Sequence, residues 1–301
     1  VLAFVNSTVA ALDLQPDEAG GWSAPVIRPT GADEAPGPGA RTRLLGPGVR
    51  LRWRRATADV VMFAHPGAEI CVSFRDSARG RVMTILGDDP GAGHVPQYVV
   101  PAGVTHTVSP APGEFALWSE TLLGSVGTGW EFPEGTNPYA VLHPPLPGNR
   151  GNYAVASRST ALRPRLAPTR LAELALSTVR GALVSLSVLT GGDVMDRLHT
   201  REQDVTYLLA AGGPVHHLLV SPEGVVREHR LGPDPASGHI PAVTVPAGWW
   251  RASYLPAGAG DAVVSELVRG AGSVARDPIH ADDILRTYPR LSRNLLPYAS
   301  D

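Results

Sequence analysis

The chain has 301 residues, enough for two domains of ordinary size, and its formal net charge of −2 leaves no broad basic face for nucleic acid. No run of about 18 apolar residues occurs, which excludes a membrane-spanning helix. A single cysteine, Cys71, excludes an internal disulfide framework and fits a reducing cytoplasm.

The 33 Gly and 29 Pro are many for a helical protein, and they separate short apolar runs of the kind found in sandwiches and barrels. All 26 basic residues are Arg, which together with abundant Ala, Gly and Pro reflects a genome rich in G and C. The opening VLAFV is too short for a secretory signal and has no basic residue before it. The missing initiator Met points to trimming or to an incomplete sequence.

In chain order, Leu2 to Leu14 places Val5, Val9 and Leu12 for a short amphipathic helix, which LQPDEAGGW (Leu14 to Trp22) ends. Residues 23–41, rich in Pro, Gly and Ala, read as a surface loop. Eight apolar stretches then read as strands: RTRLL, VRLRWR, DVVMFAH, EICVSF, GRVMTIL, QYVVPAG, HTVSP and FALWSETLL. Residues 131–165 carry too much Pro and Gly for helix or sheet and form a connector. Thr169 to Val179 is predicted as a helix capped by Thr169, with Leu171, Leu174 and Leu176 apolar. Strands resume as ALVSLSVLT, DVTYLLA, PVHHLLV, VVREHRL, AVTVPAG, WRASYL and AVVSELV. A closing helical segment begins at Asp277 and Pro278 and carries Ile284, Leu285 and Leu291 at helical spacing.

One stretch occurs twice. LGDDPGAGHVPQYVVPAG (Leu86 to Gly103) returns as LGPDPASGHIPAVTVPAG (Leu231 to Gly248), 145 residues later at every position and without a gap. A polar turn delivers the chain into an apolar strand, and a Pro-Ala-Gly corner bends it sharply away. The boundaries expected are therefore 1–130 and 166–270 for two copies of one β unit, 131–165 for the connector and 271–301 for a helical tail.

These motifs carry a resemblance. LQPDEAGGW and the two LG…VPAG segments resemble the cupin superfamily, most closely a cupin subfamily that is a domain of unknown function. Its members read L-x-P-x-x-E-G-G-W near the start and L-G-x-D-x-x-x-G-x-x-P-x-x-V-V-P-A-G near the end. The resemblance implies an all-β protein with two double-stranded β-helix (jelly-roll) barrels and a few short peripheral helices. It also implies a pocket in each barrel, where cupins usually hold a divalent metal with two His and a Glu on one motif and a His on a second.

Against that pattern, Arg54, Ala56 and Asp59 stand at or near the ligand positions of the first unit, and His106 matches the fourth ligand. In the second unit His199 corresponds to Arg54, Asp204 to Asp59, and Arg201 replaces a second His. The final His has become Arg251, a permanent cation that repels a metal. His65, beside Pro66 and Gly67, reads as a turn residue. The expectation is therefore no cofactor, with one divalent metal ion as the alternative.

Two polar sets are candidates for chemistry. His106 with Asp59, and His199 with Asp204, pair an imidazole that titrates near neutrality with a carboxylate able to fix its tautomer. Arg54, Arg201 and Arg251 are candidate binders of an anionic or carbonyl-containing small organic molecule through charge-assisted hydrogen bonds. Glu120 and Glu266 recur on a late strand of both copies and join this list. So does His217, since one of His216 and His217 faces inward under strand alternation, and so do Trp53 and Trp250. A buried ion-pair network is the plainer reading of His199, Asp204 and the Arg residues, inward packing that of His106 and the Trp residues, and an edge or outward position that of Glu120 and Glu266. His94 and His239 read as structural, and Cys71 as packing.

The function expected is a metal-independent isomerase, epimerase, cyclase or lyase of bacterial secondary metabolism, cytoplasmic, with no nucleic-acid or membrane partner and pairing as a homodimer left open. A non-catalytic binding protein and a metal-dependent oxygenase or isomerase are the alternatives.

Overall fold

The structure is a computed structural model. It describes residues 1–27, 40–67, 69–76, 80–124, 129–132, 171–179, 182–189, 194–269 and 275–300. The expected connector lies almost entirely outside these residues.

In the first unit a helix, α1 (Leu2–Ala11), precedes β1 (Gln15–Pro16), β2 (Trp22–Pro25), β3 (Arg41–Leu45), β4 (Arg55–Ala56), β5 (Asp59–Ala64), β6 (Ile70–Asp76), β7 (Gly80–Leu86), β8 (Gln97–Val100), β9 (His106–Pro110), β10 (Ala116–Leu123) and β11 (Trp130–Glu131). One sheet runs β1-β2-β3-β10-β5-β8 and a second runs β7-β6-β9, while β11 pairs with β4. An antiparallel bridge between Arg54 and His106 links the segment before β4 to β9. The two inner faces close on a core that includes Met62, Val72, Phe74, Leu86, Val108 and Trp118.

The second unit repeats the plan with β12 (Leu171–Val179), β13 (Ala182–Leu189), β14 (Val194–Thr200), β15 (Val205–Gly212), β16 (Val215–Val220), β17 (Val226–Leu231), β18 (Ala242–Val245), β19 (Trp250–Leu255), β20 (Ala262–Arg269) and β21 (Asp277–Pro278). Its sheets are β12-β13-β20-β15-β18 and β17-β16-β19-β14-β21. The order β3-β10-β5-β8 thus recurs as β13-β20-β15-β18, as the duplicated sequence requires. Both units are jelly-roll barrels.

The helix expected at Thr169 to Val179 is a strand instead. Residues 171–179 pair antiparallel with β13 from Leu171 opposite Leu189 to Val179 opposite Ala182, with one irregularity between Glu173 and Ala175. Leu, Ala and Glu favour helix locally, but an open sheet edge offers a hydrogen-bond ladder along the whole segment, and tertiary context overrides propensity. The repeat therefore does not include a second leading helix at this position.

All six residues of β5 are buried, because both faces of the strand are covered. Val60, Met62 and Ala64 face the barrel core. Val61 and Phe63 face the other barrel and pack with Val184, Leu208, Ala242 and Leu267. Polar groups cross this apolar contact: Ser265 Oγ donates to Gln97 Oε1 at 3.1 Å, and Thr244 N donates to Ile27 O at 2.9 Å. The tail forms α2 (Ala281–Thr287) and α3 (Ser292–Leu295). It covers the outer face of the β14, β16 and β19 sheet, burying Ile284 and Leu295 against Leu198, Leu218 and Ala252.

Candidate functional site

The duplicated corner explains two of the expected catalytic residues. Asp59 Oδ1 accepts from Ala102 N at 2.8 Å, and Asp204 Oδ1 accepts from Ala247 N at 2.9 Å. Beside them Gly103 N donates to Ala56 O and Gly248 N to Arg201 O, with φ of +77° and +74° at the two glycines. Only glycine takes this backbone without strain. These carboxylates hold the Pro-Ala-Gly turns rather than orienting His106 or His199.

The first barrel is filled by ion pairs. Glu120, on β10, receives Arg54 through two bonds of 2.8 and 2.5 Å, Arg43 Nε at 2.5 Å and Trp118 Nε1 at 3.0 Å. Arg43 also meets Asp17 at 2.9 Å, and the Arg54 guanidinium lies 3.9 Å over the Trp130 ring. Burial pushes the Glu120 carboxyl up, but Arg43 and Arg54 outweigh it and hold the group well below the usual carboxylate range. His106 donates Nδ1–H to Val104 O at 3.2 Å, and its Nε2 has no partner. Burial first, then Arg54, lowers its pKa to about 3, so the imidazole is neutral.

His65 is not a turn residue open to a metal. It is 1 % exposed and sits between the barrels, bonded to Leu209 O and Ser119 Oγ. Two expected binding residues also face elsewhere. Trp53 carries the Arg75 guanidinium 4.0 Å from its ring centre, outside the core that Arg54 enters from the next position. Trp250 packs edge-on against Tyr288 under the tail, 4.7 Å between ring centres. Alternation explains both: neighbours of inward Arg54 and Arg251 point outward.

The second barrel is built differently. Arg201 Nη2 and Arg276 Nη2 each donate to Glu266 at 2.8 Å, and Arg276 Nη1 donates to Asp196 at 3.0 Å. Arg54–Glu120 and Arg201–Glu266 are the same kind of contact made from positions two residues apart along the repeat, both inward. Arg251, 1 % exposed, donates Nη2 to Pro246 O at 2.9 Å, while its Nε and Nη1 have no hydrogen-bond partner. The buried Tyr207 hydroxyl sits beside it. His199 stands directly across from Arg251 on the neighbouring strand and donates Nδ1–H to Arg197 O at 2.9 Å, leaving Nε2 free. His217 shares a 2.9 Å hydrogen bond with Ser253 Oγ through Nδ1, stacks 4.7 Å from Tyr207, and also has a free Nε2. Burial lowers both imidazoles to about 3, helped by nearby Arg251.

Some of these residues border a small cavity of ≈ 10 Å³, about the room of one water molecule. Its lining includes Asp196, Tyr207, His217, Ser253 and Glu266. Asp196, Tyr207 and Arg276 were not legible as site residues. A bulge between Asp196 and His199 puts both on the inward face, although their odd spacing assigns them to opposite faces in a regular strand. Arg276 reaches in from the position just before β21.

The residues at the cupin ligand positions do not fit a metal. Guanidinium groups cannot coordinate one, and Arg201, Arg251 and Arg276 all act on His199, the one imidazole at those positions in this barrel. Among the described residues no three His, Cys, Asp or Glu side chains converge on one point. Among the described residues, too, no helix is long and apolar enough to cross a membrane.

The sequence matches a family model described as Cupin superfamily (DUF985) over residues 6–132 and again over 147–271. No curated protein matches it. Solved structures of similar fold include salicylate 1,2-dioxygenase from Pseudoaminobacter salicylatoxidans, determined as an adduct with gentisate. It is 12% identical, with a TM-score of 0.57 over 89% of this chain and 79% of that one. Vicilin from Corylus avellana (hazelnut) is 10% identical, with a TM-score of 0.54 over 96% and 95%. Oxalate decarboxylase from Bacillus subtilis is 12% identical, with a TM-score of 0.51 over 97% and 84%. These likenesses concern the fold, and this fold hosts more than one activity.

Proposed function

The chain belongs to the cupin superfamily, in the family described as DUF985, and on that footing we propose that it acts on a small organic molecule inside the second barrel, as an isomerase, epimerase, cyclase or lyase that moves a proton beside a carbonyl or carboxylate. One observation carries this reading: His217 lines the cavity with a free Nε2, while Arg251 and the Tyr207 hydroxyl stand next to it with donors to spare. The guest's oxygen takes hydrogen bonds from Arg251 and Tyr207, which stabilise negative charge as it develops. When Ser253 accepts from Nδ1, His217 Nε2 bears the lone pair that receives the proton. Burial is the chief cause of the low His217 pKa, and an anion on Arg251 offsets the smaller share that Arg251 adds. No step is assigned to the first barrel, whose carboxylate and cations are already paired. The sequence has one cysteine, Cys71, which supports a cytoplasmic setting.

The test is exchange of the methyl protons of pyruvate in deuterated water, followed by proton NMR. The expected result is exchange above the buffer rate, lost in His217→Ala and kept in His106→Ala; equal rates with and without protein overturn the reading. A non-catalytic binding protein is the second reading, favoured by the narrow cavity and by Glu266 and Asp196 being held by Arg201 and Arg276. Saturable binding of pyruvate without exchange is its signature.

A further inference from the structure

The inner face of the β17-β16-β19-β14 sheet carries two rows of polar residues. Arg227, Leu219, Arg251 and His199 stand side by side on the four strands, and His229, His217, Ser253 and Asp196 form the next row. Leu219 lies in the apolar core of the barrel, which fixes this face as the inward one. Strand spacing sets the Cα atoms of Arg227 and Arg251 roughly 10 Å apart, with Leu219 between them. Arg227 is half-buried at the open edge, and its Nε is enclosed without an acceptor. Arg251 is fully buried and keeps two such nitrogens. Guanidinium nitrogens only donate, so both ends of this row call for oxygens. The two carboxylates nearby, Glu266 and Asp196, already receive Arg201 and Arg276.

We propose that the second barrel binds a short-chain diacid, with one carboxylate on Arg251 in the interior and the other on Arg227 at the rim, its carbon chain lying over Leu219. The proposal rests on the functional reading above and names its substrate class. It also gives the neutral imidazole of His217, two residues before Leu219 on the same strand, a place beside the carbons between the two acid groups. Arg227 is a specificity residue in this arrangement, since it touches only the group that a monoacid lacks.

The experiment compares succinate with butyrate, a monoacid of equal chain length, by calorimetric titration and thermal shift on the full chain, with sulfate as a control for a simple anion hole. The expected result is that succinate binds about tenfold tighter than butyrate, as one added charge-assisted pair supplies. Arg227→Gln then brings succinate down to the butyrate level and leaves butyrate unchanged. Arg227 lies on an edge strand and is partly exposed, so this variant folds, and an unaltered melting temperature without ligand verifies it. Equal binding of the two acids by the wild type, a preference that survives in Arg227→Gln, or sulfate binding as tightly as succinate overturns the diacid proposal while leaving the proton-transfer reading standing. Failure of all three to bind likewise overturns the diacid proposal, and the pyruvate exchange measurement then decides the proton-transfer reading separately.

Discussion

His65 of the first barrel donates its Nδ1–H to the backbone carbonyl of Leu209 in the second at 2.9 Å. Because that carbonyl can only accept, the proton sits on Nδ1, and Nε2 accepts from Ser119 Oγ at 2.8 Å. Ser119 in turn must accept from Thr42 Oγ1 at 3.1 Å. One chain of hydrogen bonds therefore runs from β3 across β10 into the partner barrel. Replacing His65 by Ala leaves a buried carbonyl and a buried hydroxyl without this partner, at about 1–3 kcal/mol for each group left unsatisfied. The expected outcome is lower stability and a calorimetric unfolding transition that splits into two. A single unshifted transition refutes the role.

Acid should unfold this protein earlier than its carboxylates alone require. In the fold His65 is lowered from 6.5 to about 4, and His106, His199 and His217 to about 3, chiefly by burial. In the unfolded chain these imidazoles titrate near their ordinary value. Across the window between, the unfolded state binds protons that the native state refuses, so stability is complete above about pH 6.5 and falls as pH drops toward about 3. Denaturant midpoints measured from pH 8 to pH 4 check this. The variant His65→Gln should lose less stability between pH 6.5 and pH 4 than the wild type, and a flat profile in the wild type would falsify the account.

The Glu120 network should be costly to break from the acidic side. Glu120→Gln leaves two buried guanidiniums facing a neutral amide, and loss of about 3–5 kcal/mol is expected by analogy with other broken buried pairs. Arg54→Met should cost less, because Arg43 still neutralises Glu120. Urea unfolding of the two variants tests the order.

Gly232 is required by the ring of His239. A Cβ at Gly232 would lie 2.3 Å from His239 Nδ1, and the equivalent pair in the first unit places a Gly87 Cβ 2.9 Å from His94 Nδ1. Gly232→Ala should therefore destabilise by about 1–3 kcal/mol, the usual range for overpacking. Adding His239→Ala should recover most of the loss. Additive effects in this cycle would rule out the contact as the cause.

Much of this was legible in the sequence, for reasons the coordinates make plain. The 145-residue repeat and the alternation of apolar residues report the barrels directly. Arg54, His106, His199, Arg201, His217 and Arg251 are buried, and so are Glu120 and Glu266, for which an edge or outward position is the plainer reading of the sequence. The misreadings arise where alternation breaks or where a local preference loses to a distant partner. Asp196 hides behind a bulge, Arg276 comes from outside the repeat, and residues 171–179 take the sheet edge over a helix. Asp59 and Asp204 looked catalytic because they recur, but a recurring turn needs a recurring acceptor as much as a recurring site does.

The apolar contact through Val61, Phe63, Leu208 and Leu267 joins two parts of one covalent chain. Its occupancy is therefore independent of how much protein is present: the tether fixes the local concentration of one barrel around the other, and dilution cannot part them. A protein whose barrels met only as separate subunits would dissociate at low abundance and lose the shelter over these strands. Here the pairing holds at one molecule per cell.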